Sequence, residues 1–138
     1  MMMKIKNKTS LMGVDLFEKN TTLDEINFFL VRYFEENNQN LSNLGVSVKK
    51  IWLYKNICGV IDFSYEDIFF AFDVKPNKVF GVDVDILQRN TEHEVLIIKM
   101  QGKKKRICEM VSLMEAVDSI ILTIKNLVNF IHAKRLDS

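Results

Sequence analysis

Residues 57–87 read ICGVIDFSYEDIFFAFDVKPNKVFGVDVDIL, and the alternation within this stretch decides the fold. Ile57, Ile61, Phe63 and Tyr65, then Ile68, Phe70, Phe72 and Val74, then Phe80, Val82, Val84 and Ile86 follow a period of two. That spacing puts side chains on one face of a strand. Asp62, Asp73, Asp83 and Asp85 fall between them. The pattern predicts antiparallel strands with one aromatic and aliphatic face that other elements must cover, and one acidic face open to water.

Turn signals fix an expected register. A two-residue turn at Lys55-Asn56 sets Lys49 opposite Asp62 and Ile51 opposite Val60. It also puts Trp52 and Tyr54 of a first strand, Val46 to Tyr54, on the core side. A turn at Glu66-Asp67 sets Phe63 opposite Phe70 and Ile61 opposite Phe72. Pro76-Asn77 marks the next reversal. A two-residue loop there would bury Asp83 opposite Phe70, and the cost of an unpaired buried carboxylate selects a three-residue loop instead. Val84 then faces Phe70, and Asp83 faces Ala71. The fourth strand ends near Leu87, and Arg89-Asn90-Thr91 turns the chain into a fifth strand over residues 93–101. Gly102-Lys103 supplies a type II′ turn that returns residues 104–110 as a sixth.

Helices flank this meander of residues 45–110. Thr22-Leu23-Asp24-Glu25 is a capping box that starts a helix over 22–37, ended by Asn37-Asn38-Gln39-Asn40. Its apolar residues Leu23, Ile26, Phe28, Phe29, Leu30, Val31, Tyr33 and Phe34 are broader than one stripe. It should therefore touch two surfaces, the sheet and either the last helix or a second copy of the chain. Ser112-Leu113-Met114-Glu115 is a second capping box, opening a long helix over 112–134. Val117, Ile120, Ile121, Ile124, Leu127, Val128 and Ile131 form its buried stripe. The expected fold class is α+β: an antiparallel meander of five to six strands, with an N-terminal helix and a long C-terminal helix packed on one sheet face. Residues 1–20 carry little periodicity, although Leu11, Met12, Val14, Leu16 and Phe17 are too apolar to float free of the body.

Composition bounds the function. A chain of 138 residues is one domain by size, and 48% hydrophobic with 27% charged residues is ordinary for a soluble globular protein. A net charge of +1 argues against a generic nucleic-acid binder and against an acidic mimic of DNA. Glu115, Asp118, Lys125, Asn126 and Asn129 interrupt the most apolar long segment, so no membrane span is expected. Residues 1–10 lack the apolar core of a signal peptide, which points to the cytoplasm. Cys58 and Cys108 read as small buried thiols in a reducing compartment.

Groups that carry chemistry are few. His93 and His132 stand alone as solvated or capping residues, and neither a catalytic triad, a zinc-ligand spacing nor a glycine-rich phosphate loop is present. No cofactor and no metal is expected. Asp62, followed by Asp73-Val74-Lys75 at the end of the next apolar run, resembles the hairpin of the PD-(D/E)xK nucleases. That resemblance implies two carboxylates holding a divalent metal, with Lys75 helping to activate water and Glu35 or Glu36 as an upstream acid. The family places a helix after the lysine strand, whereas Pro76-Asn77 turns here into another strand. A solvated polar face, with Lys49 pairing Asp62, is the preferred reading. Lys103, Lys104, Lys105 and Arg106 form the remaining charged feature. They lack the interleaved aromatics of single-strand binders and suit a hairpin tip or a basic contact patch.

These features are similar, in general terms, to small bacterial immunity proteins and phage-encoded inhibitors. The expectation is a non-enzymatic domain that occludes a partner protein such as a toxin, nuclease or defence effector. Asp62, Asp73, Asp83 and Asp85, or Lys103, Lys104, Lys105 and Arg106, would supply charge complementarity. The alternatives are the metal-dependent nuclease-like enzyme using Asp62, Asp73 and Lys75, and a homodimeric, chaperone-like adaptor built on the first helix.

Overall fold

The computed structural model describes residues 21–88 and 104–136. The expected strand at 93–101, the Gly102-Lys103 turn, Lys103, His93 and residues 1–20 lie outside that set.

Thr22 starts helix α1 (Leu23–Glu36) by the expected reciprocal cap. Its Oγ1 accepts the Glu25 amide at 3.1 Å, and the Glu25 carboxylate accepts the Thr22 N–H at 2.9 Å. Ile26, Leu30 and Phe34, spaced by one turn, are buried. Asn37 closes the helix, its side-chain amide donating to the Tyr33 carbonyl at 2.8 Å. The asparagine tract does not end helical structure altogether. A second short helix, α2 (Asn38–Asn43), follows at once because Leu41 is buried in the same core.

The sheet has five described strands in the order β1 (Val46–Tyr54), β2 (Cys58–Tyr65), β3 (Ile68–Pro76), β4 (Val82–Gln88) and β5 (Lys104–Val111), all antiparallel. The β2–β3 register is the expected one, with Phe63 opposite Phe70 and Ile61 opposite Phe72. The Phe63 ring stacks on Phe70 and meets Phe34 and Phe72 edge-on, in a connected aromatic core. β5 pairs directly with β4, taking the place that a strict meander would give to the strand from residue 93.

Two hairpins differ from expectation. The β1–β2 turn has three residues, with Tyr54 opposite Cys58 and Lys55 in the left-handed region at φ 52°. Lys50, not Lys49, therefore faces Asp62, and Ile51 faces Ile61. A bulge between Val48 and Lys50 restores the expected pairing beyond it, where Val48 faces Phe63. The added residue turns Lys50, Trp52 and Tyr54 to the face away from the helices. The β3–β4 loop has five residues, because Asn77 organises it. The Asn77 Oδ1 accepts the Val79 N–H at 2.8 Å, and the Asn77 N–H donates to the Gly81 carbonyl at 2.9 Å. Val84 consequently faces Val74, and Asp83 faces Lys75. This slides the strand four residues from the expected register. The even shift leaves every side chain on its expected face. Ile57 and Phe80, expected in the core, sit in these turns and are about half exposed.

Helix α3 (Leu113–Leu136) begins at the second capping box, where the Ser112 N–H donates to Glu115 at 3.0 Å and the Ser112 Oγ accepts the Glu115 amide at 3.1 Å. Accepting that backbone N–H lowers the Glu115 carboxyl. Ala116, Val117, Ile120, Ile124, Val128 and Ile131 are buried, and Ile121 and Leu127 pack beside them. α1 packs on β1, β2 and β3, α3 on β4 and β5, and the two helices touch each other. One continuous core lies between this layer and the sheet. The Arg135 guanidinium near the end of α3 donates to Asp67 at 2.8 Å and also binds Glu66, tying the helix to the β2–β3 turn. None of the helices among the described residues is long and apolar enough to cross a membrane.

Candidate functional site

The sheet face away from the helices carries two adjoining features, a ladder of charges and an aromatic corner. In β3 and β4, Asp73 and Asp85 stand directly opposite each other, an arrangement that destabilises a sheet unless a cation intervenes. β5 supplies the cations. The Lys104 ammonium lies 3.1 Å from Asp73 and 3.9 Å from Asp85. The Arg106 Nε donates to Asp85 at 2.5 Å, and its Nη1 lies 3.7 Å from Asp83 and 3.1 Å from Glu109. Asp83 also accepts from the Asn77 side-chain amide at 2.9 Å and from the Met110 N–H at 3.0 Å. Asp85 is only 7% exposed, so its carboxylate is held inside the ladder.

The two charged patches expected to act separately are therefore brought together. Asp73, Asp83 and Asp85 are met by Lys104 and Arg106 of the neighbouring strand, and much of the acidic face is neutralised from within. Lys105 points to the other side, opposite Ile86. Hydrogen bonding to Asp73 raises the Lys104 ammonium, and hydrogen bonding to Asp85 raises the Arg106 guanidinium, so both stay charged at neutral pH.

Asp62 lies on the same face as Asp73, as a metal-binding pair would require, but its geometry serves the aromatic corner. Its Oδ2 accepts the Trp52 indole N–H at 2.8 Å. The Lys50 ammonium sits 4.9 Å from the centre of that ring, and the Tyr54 ring meets it edge-on at 6.0 Å. Lys55 in turn lies 5.4 Å from the centre of the Tyr54 ring. Trp52 and Leu87 pack over a small second core of Cys58, Val60 and Ala71. Burial pushes the Cys58 thiol up to about 11, with the Asp73 charge adding to the effect. Such a thiol stays protonated and inert at neutral pH. Burial likewise raises the Cys108 thiol, and both cysteines are free.

Glu35 and Glu36 ride on α1, which packs on the opposite side of the sheet, so they do not converge with Asp62 and Asp73. Lys75 stands opposite Asp83. Among the described residues, no group of three or more histidine, cysteine or carboxylate side chains is placed to hold a metal ion.

Periodicity alone misplaces the aromatic corner, yet a signal for it exists. Valines 46 and 48, and then Ile51 and Leu53, take the helix-facing positions only if Lys49-Lys50 counts as a two-residue interruption. That break in alternation is the bulge.

No protein-family model, curated protein or solved structure matches the chain.

Proposed function

We propose that this chain is a protein-binding domain that acts by occupying a partner's surface, in the manner of a small inhibitor or adaptor, with no chemical step of its own. The observation that supports this reading most is the fixed indole of Trp52. Asp62 holds it from one side and Lys50 covers its ring. Tyr54, Ile57 and Phe69, each more than 40% exposed, belong to the same side of the sheet or its turn. Interfaces draw most of their binding energy from a few preorganised aromatic and arginine side chains surrounded by polar contacts. The ladder of Lys104, Arg106, Asp73, Asp83 and Asp85 supplies such a polar margin, with both signs interspersed to set orientation and partner choice.

Binding of this kind predicts a stable complex that depends on Trp52. The full chain would be used to recover its partner from the source cells, and Trp52→Ala and Tyr54→Ala would be compared with it after circular dichroism confirms folding. Loss of the recovered partner in Trp52→Ala is expected. Undiminished recovery with both variants would overturn the assignment of this face. Magnesium-dependent nicking of plasmid DNA, abolished in Asp73→Ala, would overturn the non-enzymatic reading.

A further inference from the structure

We infer that the outer edge of β1 accepts an extended, acidic segment of the partner as an added strand. This rests on the protein-binding reading above and specifies what is bound and how. Among the described residues, β1 is an end strand that pairs only with β2. Its nine residues therefore present a row of backbone donors and acceptors along one side, about 30 Å at 3.3 Å per residue.

Both flanks of that edge are suited to alternate side chains of an incoming strand. On the helix side, a cavity of about 300 Å³ is lined by Phe34, Glu35, Asn38, Val48 and Ile51. A neighbouring depression of about 340 Å³ is lined by Phe28, Val31, Arg32, Glu35 and Glu36, and Phe28 is 65% exposed there. Every second residue of an added strand would point to this apolar hollow, whose Glu35 disfavours a further carboxylate. The intervening residues would point to the opposite face, beside Lys50 and Trp52.

Charge selects the occupant. Lys49, Lys50 and Lys55 make no ion pair among the described residues, whereas Lys104, Arg106, Arg32 and Arg135 are each matched to a carboxylate. This cluster of lysines, without an ion pair among the described residues, calls for acidic side chains on the incoming strand. The same lysines disfavour pairing of β1 with a second β1, because like charges would meet across the new ladder. The ligand class is therefore a peptide segment alternating apolar and acidic residues, recognised through main-chain hydrogen bonds.

The test uses the full chain and three fluorescent nine-residue peptides: one alternating valine and glutamate, one with lysine replacing glutamate, and the first with alternate backbone amides N-methylated. Anisotropy at low salt, with the emission of Trp52 (the sole tryptophan) as a second readout, should show binding of the acidic peptide alone. Affinity should fall at least tenfold on N-methylation, and at least tenfold in Lys49→Glu/Lys50→Glu. Equal binding of acidic and basic peptides, full binding of the N-methylated peptide, or no binding of any peptide to 1 mM would overturn the inference. So would equal binding of a single-stranded oligonucleotide of the same charge, or a dimer in light scattering that protects β1 amides from exchange. If Trp52→Ala still abolishes partner recovery while the peptides fail, the edge proposal falls and the protein-binding reading stands.

Discussion

Gly59 offers a direct measurement of how closely α1 sits on the sheet. A Cβ built at this β2 position would lie 2.9 Å from the Ile26 Cγ2 and 3.4 Å from the Leu30 Cδ1, and both side chains are fully buried. The Ile26 methyl is attached next to the helix backbone, and a β-branched side chain in a helix is held in essentially one χ1 rotamer. It cannot swing aside, so Gly59→Ala must lift the helix or strain Ile26, at a cost of about 1–3 kcal/mol. Ile26→Ala alone should cost about 2–5 kcal/mol through lost burial and a cavity. In the double variant the new methyl enters the space that Ile26 vacated. The clash disappears, and about 0.8 kcal/mol of burial returns. Urea unfolding followed by far-ultraviolet circular dichroism and Trp52 fluorescence should therefore give a coupling of roughly 2–4 kcal/mol between the two changes. Additivity within about 0.5 kcal/mol would refute the close approach of α1 to β2.

Gly81→Ala places a Cβ 2.1 Å from the Val111 carbonyl oxygen at a φ of +60°. It should cost well over 1 kcal/mol, and hydrogen exchange should show the β5 amides losing protection before those of β2 and β3. Asp85→Asn removes the charge that Arg106 and Lys104 share. Their remaining carboxylate neighbours and partial exposure limit the expected loss in denaturant stability to about 1–2 kcal/mol. Lys104 is raised in the folded state by its bond to Asp73, so its contribution is complete below the unfolded lysine value and is lost as pH rises through the folded one. The difference in melting temperature between the native chain and Lys104→Met should accordingly shrink above about pH 10. With its thiol pushed up to about 11, Cys58 should resist iodoacetamide at pH 8 in the folded protein. Rapid alkylation there, located by mass spectrometry, would show that the second core opens.

Much of the architecture is legible in the residues because it rests on local chemistry. Both capping boxes form as their side chains dictate, and the buried stripe of α3 follows from its helical period. The Phe63–Phe70 pairing follows from the tight turn at Glu66-Asp67. What fails to be legible is loop length. Lys55 and Gly81 both adopt positive φ, but only the glycine advertises it by residue type. The length of the 77–81 loop depends on an Asn77 side chain folding back on its own backbone, which competes with simple strand continuation. The partnership of Asp85 with Arg106 joins residues far apart in the chain. It becomes apparent only once β5 is known to lie against β4.

The bulge at Lys49 has an evolutionary corollary. At the present length the outward aromatics depend on that interruption, because unbroken alternation from Val46 would turn Trp52 and Tyr54 toward the helices. Deleting Lys49 would remove the bulge and leave plain alternation from Val46 to Tyr54, with Ile51 still toward the helices and Trp52 and Tyr54 still away from them. A one-codon deletion there would thus straighten the strand and keep both of its sides, whereas closing the bulge at constant length would exchange the two sides of the outer half.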